Sequence, residues 1–211
     1  MTHDNPILGI ILAGGLARRM GGGDKCLLPL GGRTLLDRAI SKAKPQVDEL
    51  LLNANGNHLR FTRSGLTVLS DEFPNFPGPL AGVHAGLEWL THHRPDIEWL
   101  VSFASDTPFF PDNLVQALLE QALDTEADLA VASTDGRLHP IFALWHRRLL
   151  PAVRETLQAG TTPRLQDWVQ TQRWVEVPFE QHDYDPFFNI NQPQDLHNAE
   201  AFLPKGEDTR K

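Results

Sequence analysis

The first segment that could do chemistry is a glycine-rich loop near the start of the chain. It reads LAGGLARRMGGGDK over residues 12–25, with glycines that allow positive φ and close backbone approach and with cations at Arg18, Arg19 and Lys25. This composition suits a polyphosphate, and a flexible surface turn with scattered charges is the alternative. The loop is not of the Walker type, because it lacks the Gly-Lys-Ser/Thr ending, and it is not GxGxxG, because its glycines are adjacent.

Three polar residues follow short apolar runs of the kind that form buried strands: Asn53, Asp71 and Asp106. If these runs are parallel strands, their carboxyl ends share one edge of the sheet with the glycine-rich loop, and ligands of such sheets bind at that edge. There Asp106 is well placed to hold Mg²⁺, a hard cation that prefers carboxylate, water and phosphate oxygens. A role as a turn former or helix cap is the alternative for Asp106.

A second segment with small residues reads PGPLAGVHAG over residues 77–86. It combines a rigid entry, a helix start and small residues on one face. Such a face would admit a flat base or a ribose against the backbone, and a tight turn with close helix packing is the alternative.

The histidines and the cysteine carry weaker signals. The nine histidines show neither HExxH nor paired Cys/His spacing, so the sequence predicts no structural zinc site. Cys26 follows Lys25 at the start of an apolar run, and we expect it to pack, although a thiol beside a lysine can be reactive.

The elements that must position these residues alternate along the first half of the chain. Predicted strands are Ile7 to Leu12, Glu49 to Asn53, Thr67 to Ser70, Trp99 to Ala104, Leu129 to Ser133, Ile141 to Trp145 and Arg173 to Pro178. Predicted helices begin after the capping box at Thr34 to Asp37 and cover Leu80 to Leu90, Leu114 to Ala122, Leu149 to Ala159, Pro163 to Thr171 and Pro193 to Phe202. This order predicts an α/β fold with a mostly parallel sheet covered on both faces, and less regular alternation predicts a mixed C-terminal edge.

Composition excludes several classes of protein. The chain has 211 residues, of which 41% are hydrophobic, as expected of a globular chain. The net charge of −8 argues against nucleic-acid binding. One cysteine permits no internal disulfide, so we expect a location in the reducing cytoplasm. No run resembles a signal peptide or a membrane span, so we expect no contact with a membrane. We expect one domain over residues 1–204 and a frayed tail over 205–211.

The assembled motifs resemble the molybdenum cofactor guanylyltransferases, within the wider family of nucleotidyltransferases. The matching features are LAGG at residues 12–15, Arg19-Met20-Gly21, Asp24-Lys25, Asn53, Asp71, GPLAG at residues 78–82, Asp106-Thr107-Pro108, His139-Pro140, and FxNxN from Phe187 to Asn191. They cover nearly the whole chain. One departure is Gly160 to Arg164, where the resemblance leads us to expect two basic residues and this chain has only Arg164.

The resemblance implies a Rossmann-like three-layer domain that uses Mg²⁺ to transfer GMP from GTP to molybdenum-loaded molybdopterin and releases pyrophosphate. It also implies transient contacts with other proteins of molybdenum cofactor synthesis. Because the pattern of elements changes after about residue 135, we expect nucleotide binding in about residues 7–135 and acceptor binding in about residues 136–204.

The resemblance further implies a role for each matching residue. Lys25, Arg19 and Asp106 are the catalytic set, in which Asp106 holds the metal, Lys25 acts at the α-phosphate, and Arg19 acts on the leaving polyphosphate with the amides of Gly14 and Gly15. Asn53 and Asp71 are assigned to the nucleoside end. The residues assigned to the base are Leu12, Ala13, Pro79, Leu80 and Gly82. The residues assigned to the acceptor are His139, Arg164, Asn189 and Asn191.

Two other functions stay open at the level of sequence. One is a related nucleotidyltransferase that uses CTP on molybdopterin, or a nucleotide on a sugar phosphate. The other is a GTP- or pterin-binding accessory protein without catalysis. Lys25 and Asp106 together argue against the accessory protein, because binding alone would not require both a cation and a metal ligand.

Overall fold

A computed structural model describes residues 5–14, 24–73, 78–160 and 163–203 of the chain. The strands are β1 (Ile7–Leu12), β2 (Pro29–Leu30), β3 (Arg33–Thr34), β4 (Glu49–Asn53), β5 (Thr67–Leu69), β6 (Trp99–Ala104), β7 (Leu129–Thr134), β8 (Arg137–His146) and β9 (Trp174–Pro178). The α-helices are α1 (Leu35–Ala43), α2 (Pro79–His93), α3 (Leu114–Asp124), α4 (Leu150–Gln158), α5 (Leu165–Val169) and α6 (Pro193–Glu200). The predicted tail at 205–211 lies outside the described residues.

Seven strands form the central sheet in the order β5-β4-β1-β6-β8-β7-β9. Within this sheet β8 runs antiparallel to β6 and β7, and the other neighbouring strands pair in parallel. The predicted mostly parallel sheet with a mixed C-terminal edge is therefore confirmed. Both predicted halves of the chain contribute strands to this one sheet.

The sheet is buried on both faces, as the alternation of side chains along β1 illustrates. Ile7 and Ile11 face a core shared with α1 and α3, whereas Leu8 and Ile10 face a second core shared with α2 and α4. Successive side chains of a strand point to opposite faces, so an apolar run without polar interruptions requires a helical layer on each side. The predicted three-layer arrangement is confirmed.

Local signals also form as expected at α1. Thr34 Oγ1 accepts a hydrogen bond from the Asp37 amide at 3.0 Å, and the Thr34 amide donates to Asp37 Oδ2 at 3.2 Å. This is the reciprocal capping box that the sequence predicts. The helix predicted over Pro163 to Thr171 is shorter, since Arg164 has extended ψ and the Thr171 amide makes a turn bond to Trp168.

A small third core holds the C-terminal part of the chain against the start of α1. Its buried members are Leu30, Leu35, Ile190 and Ala199. Ile190 is the central residue of the segment Asn189-Ile190-Asn191, so its burial fixes both asparagines in place. None of the helices in the described ranges is long and apolar enough to cross a membrane.

Candidate active site

A cleft of about 260 Å³ opens at the carboxyl ends of the parallel strands. Leu12, the last residue of β1, is the register partner of Asn53 in β4 and of Ala104 in β6, so the three strand ends are level. The described residues that line the cleft are Leu12, Gly14, Lys25, Asn53, Asn55, Asp71, Gly78, Pro79, Ala104, Ser105, Asp106 and Ile141. The cleft therefore lies at the edge where the sequence predicts a ligand.

The side chain of Lys25 joins three oxygen atoms at one wall of the cleft. It begins a short 3-10 helix, Lys25–Leu27, and its side chain is 10% exposed. Its Nζ donates to Asp106 Oδ2 at 2.6 Å, to Asn191 Oδ1 at 2.6 Å and to Asn189 Oδ1 at 3.3 Å. An ammonium has three donors, so all three are engaged.

Backbone contacts hold these groups in register. The Ile190 amide donates to the Asp106 carbonyl at 3.0 Å, and the Asn191 amide donates to Asp195 Oδ2 at 2.8 Å. The segment that carries both asparagines is thus bonded directly to the residue expected to hold a metal. The acceptor roles of Asn189 and Asn191 stay predictions, and the structure adds that both side chains reach Lys25.

The opposite wall of the cleft is built on Asp71. Its two carboxylate oxygens accept from Asn53 Nδ2 at 2.8 Å and from Asn55 Nδ2 at 2.7 Å, while its amide donates to Asn55 Oδ1 at 2.9 Å. Two amides therefore fix the carboxylate. The sequence interpretation missed Asn55, although its place two residues beyond Asn53 at the same strand end was a usable signal.

The residues expected to line the base are only partly at the cleft. Leu12 and Pro79 line it, whereas Leu80 is buried in the core beneath α2. Gly82 faces Asn53, and a Cβ atom built there would collide with Asn53 Oδ1 and lie 2.8 Å from Leu12 Cδ2. Gly82 thus allows Asn53 to approach α2. The contacts predicted between a base and Leu12, Ala13, Pro79, Leu80 or Gly82 all stay predictions.

The two other residues assigned to the acceptor do not line the cleft. His139 is buried, with Nε2 at 2.7 Å from Thr134 Oγ1 and its ring stacked on Phe187 at 4.5 Å. Burial lowers the pKa of His139 below its usual value, which favours the neutral ring. Arg164 is exposed at the start of α5. The acceptor roles of His139 and Arg164 stay predictions. Gly15 and Arg19 lie outside the described residues, and the roles expected of them at the leaving polyphosphate stay predictions too.

The environment of Cys26 decides whether its thiol packs in the core or reacts as a nucleophile. The residue is 1% exposed in the core under α1. Burial, followed by the charge of Asp24, raises the pKa of the thiol to about 12. A thiol that holds its proton so firmly is a poor nucleophile, so packing is confirmed as its role and the reactive alternative is wrong.

The oxygen atoms around Lys25 also fit a hard cation. The carboxylate of Asp106 and the amide oxygens of Asn189 and Asn191 all converge on one ammonium. Mg²⁺ prefers oxygen ligands of this kind and retains several waters. The donor set is therefore compatible with a metal bound at Asp106.

Comparisons with known proteins identify the family of this chain. The MobA-like NTP transferase domain matches residues 9–176. The molybdenum cofactor guanylyltransferase of Rhodopseudomonas palustris (strain BisB5) is 48% identical over 191 residues, which cover 90% of this chain and 91% of that protein. The protein of the same name from Mesorhizobium japonicum is 47% identical over 200 residues, which cover 93% and 96%.

A solved structure shares the fold. Molybdopterin-guanine dinucleotide biosynthesis protein A from Archaeoglobus fulgidus superposes with a TM-score of 0.72 at 22% identity, over 92% of this chain and 97% of that one. The resemblance stated from the sequence motifs is confirmed by the family match and by the curated relatives. The chain therefore belongs to the MobA-like NTP transferase family.

Proposed function

We propose that this protein transfers GMP from GTP to molybdenum-loaded molybdopterin, which forms the guanine dinucleotide cofactor and releases pyrophosphate. The observation that carries the proposal is the Lys25 ammonium bonded to Asp106 at the carboxyl edge of the sheet. The names of the relatives at 47–48% identity supply the substrates. In the reaction, an oxygen of the acceptor phosphate bonds to the α-phosphorus while the bond from that phosphorus to the bridging oxygen breaks.

Little covalent help is required, because the attacking phosphate is already an anion. The protein must hold two anions close together and stabilise charge as it moves to the leaving pyrophosphate. Lys25 suits this role, since its ammonium lies in a nearly buried position where charge interactions are weakly screened. Phosphate oxygens would take the place of one or more of its present amide and carboxylate partners.

Mg²⁺ is part of the proposal, with Asp106 as its protein ligand and the neighbouring asparagine oxygens within the same cluster. When bound, the metal would neutralise charge on the phosphate oxygens. At the far wall, the carboxylate of Asp71 and the amides of Asn53 and Asn55 offer acceptors and donors to a nucleoside.

A cytoplasmic location and transient contacts with other proteins of molybdenum cofactor synthesis complete the proposal. The first rests on the single, buried cysteine and the second on the resemblance.

The test is an assay of pyrophosphate release with Mg²⁺, molybdenum-loaded molybdopterin and each of the four nucleoside triphosphates in turn. We expect release with GTP, and Asp106→Asn should reduce it by orders of magnitude. Asp112→Asn is the matched control, because Asp112 is exposed and pairs with Lys42 outside this cleft. Release with CTP instead would identify a cytidylyltransferase, and tight binding without release would favour the accessory protein.

A further inference from the structure

A cluster of side chains on α2 and on the segment after Asp71 lies outside the lining of the cleft and has an unusual buried histidine at its centre. His84 is 1% exposed, yet neither of its ring nitrogens makes a hydrogen bond to any residue that the structure describes. Its Nε2 lies 3.3 Å from Glu88 Oε1, and its Nδ1 lies 4.0 Å from Glu72 Oε2. Buried polar atoms are rarely left without a partner, so this ring requires an explanation.

The three side chains together have the geometry of a ligand set. One ligand atom from each of Glu72, His84 and Glu88 lies within 4.8 Å of the other two. Tetrahedral zinc with bonds near 2.0–2.1 Å places its ligand atoms about 3.4 Å apart. The 3.3 Å between His84 Nε2 and Glu88 Oε1 already matches, so Nε2 is the ring nitrogen that would bind the ion. Glu72 now lies nearer to the other ring nitrogen, Nδ1, and its carboxylate must turn towards Nε2 to complete the set, which its 64% exposed side chain has room to do.

The surroundings keep His84 in the form that binds metal. Burial lowers the pKa of His84 below its usual value, so the ring is neutral near pH 7, as a metal ligand must be. The ring of Phe73 packs edge-on against it at 5.0 Å and fixes its orientation. An imidazole with two carboxylates favours Zn²⁺ or Co²⁺ over Mg²⁺, which prefers an all-oxygen set.

We propose that Glu72, His84 and Glu88 bind a divalent transition-metal ion of the Zn²⁺ class, at a site distinct from the one expected at Asp106. The site would tie the segment that follows Asp71 to α2. Three protein ligands leave room for water in the fourth position. Its ligands are separated by 12 and 4 residues, which explains why a search for HExxH or paired Cys/His spacing did not find it.

The side chain of Arg154 competes with the metal for Glu88, so the proposal predicts the direction in which its removal changes metal affinity. The guanidinium of Arg154, on α4, forms an ion pair with Glu88 Oε1. It occupies a ligand oxygen, and its positive charge repels a bound cation. Removing Arg154 should therefore tighten metal binding, whereas simple damage to the fold would weaken it.

The experiment measures Zn²⁺ affinity of the chelator-treated full chain by competition with a chromophoric chelator, with excess Mg²⁺ present to occupy oxygen-only sites. Co²⁺ serves as a second probe through its visible absorption. Loss of partners of a metal ligand costs about 10- to 100-fold in affinity, so His84→Leu should cost at least about 100-fold and Glu88→Gln at least about tenfold. Arg154→Gln should increase the affinity several-fold.

The matched control is His93→Gln, because His93 is an exposed histidine on the same helix that stacks on Trp89. It should leave the affinity unchanged. Leucine is close to histidine in size and removes two unsatisfied nitrogens, so His84→Leu should fold, which a melting curve checks. If His84→Leu does not fold, the Zn²⁺ affinities of Glu88→Gln and Arg154→Gln test the proposal instead. Equal affinity in the wild type and His84→Leu, or weaker binding in Arg154→Gln, would overturn the proposal.

Discussion

Replacement of Gly82 by alanine tests whether the close approach of Asn53 to α2 positions the nucleotide. A Cβ at residue 82 would collide with Asn53 Oδ1. Asn53 cannot simply retreat, since its Nδ2 is bonded to Asp71 Oδ1 at 2.8 Å and to the Leu69 carbonyl at 3.3 Å. The substitution must therefore break the Asn53 contacts or shift α2.

Two contributions act on the stability of the fold, and a third, the hydrogen bond of Asn53, sets the expected loss at the site. Glycine to alanine within a helix gains about 1 kcal/mol. Inserting a methyl group into a packed site costs about 1–3 kcal/mol, and a hydrogen bond to a charged group contributes about 1.5–3 kcal/mol. Loss of the Asn53–Asp71 bond should therefore weaken GTP binding by roughly ten- to a hundredfold, at about 1.4 kcal/mol for each factor of ten.

Gly86→Ala is the matched control, one turn further along α2. A Cβ there meets Leu100 Cδ2 at 2.9 Å and Ile10 Cδ1 at 3.1 Å, which are the flexible ends of apolar side chains. Like Gly82→Ala, the Gly86→Ala substitution raises helix propensity and adds a methyl group to a packed site. Unlike Gly82→Ala, it does not contact Asn53. Calorimetric titration with GTP should show a loss for Gly82→Ala alone. Equal affinities in the two variants, with both folded by melting curve, would refute the reasoning.

Three further predictions concern titration and charge. Lys25→Ala should lower kcat more than it raises KM for GTP, since Lys25 is expected to act on charge that grows during transfer; steady-state kinetics in which KM alone changes would show uniform binding instead. Cys26 should resist iodoacetamide at pH 8 in the folded protein and react after unfolding, because its pKa is raised to about 12. Burial lowers the pKa values of His84, His139 and His146, so the unfolded chain binds more protons than the folded chain below about pH 6.5. The free energy of unfolding of the metal-free protein should fall as pH drops from 6.5 towards those lower values, and denaturant titrations at several pH values would contradict this if it stayed constant.

The arrangement of strands was predictable to a large extent, because most of them are apolar runs separated by helical patterns. The direction of β8 was not inferred, although a signal was present. Asp135 and Gly136 join β7 to β8, and both have positive φ, at 48° and 74°. An Asp-Gly pair between two strands is typical of a tight hairpin turn, which makes the strands antiparallel.

Some residues of the site could be placed from the local sequence, and others depend on contacts between distant parts of the chain. Asn53, Asp71 and Asp106 were predictable because each ends or follows its own strand, and parallel strands end at one edge. The contact of Lys25 with Asn189 and Asn191 spans 164 and 166 residues. No local sequence pattern predicts a contact between residues so far apart in the chain. The contact depends on the burial of Ile190 in the small core beside α1.

The contacts of Lys25 also limit how far donor and acceptor binding can be separated. The predicted division puts Lys25 and Asp106 in the nucleotide-binding part and Asn189 and Asn191 in the acceptor-binding part, and Lys25 bonds to members of both. Transfer requires the acceptor oxygen and the α-phosphorus to approach within about 3–3.5 Å. Two binding regions that serve such a reaction must meet at one point, and a cation bonded to both is suited to that point. The division along the chain is therefore compatible with a shared centre, because residues distant in sequence converge on Lys25.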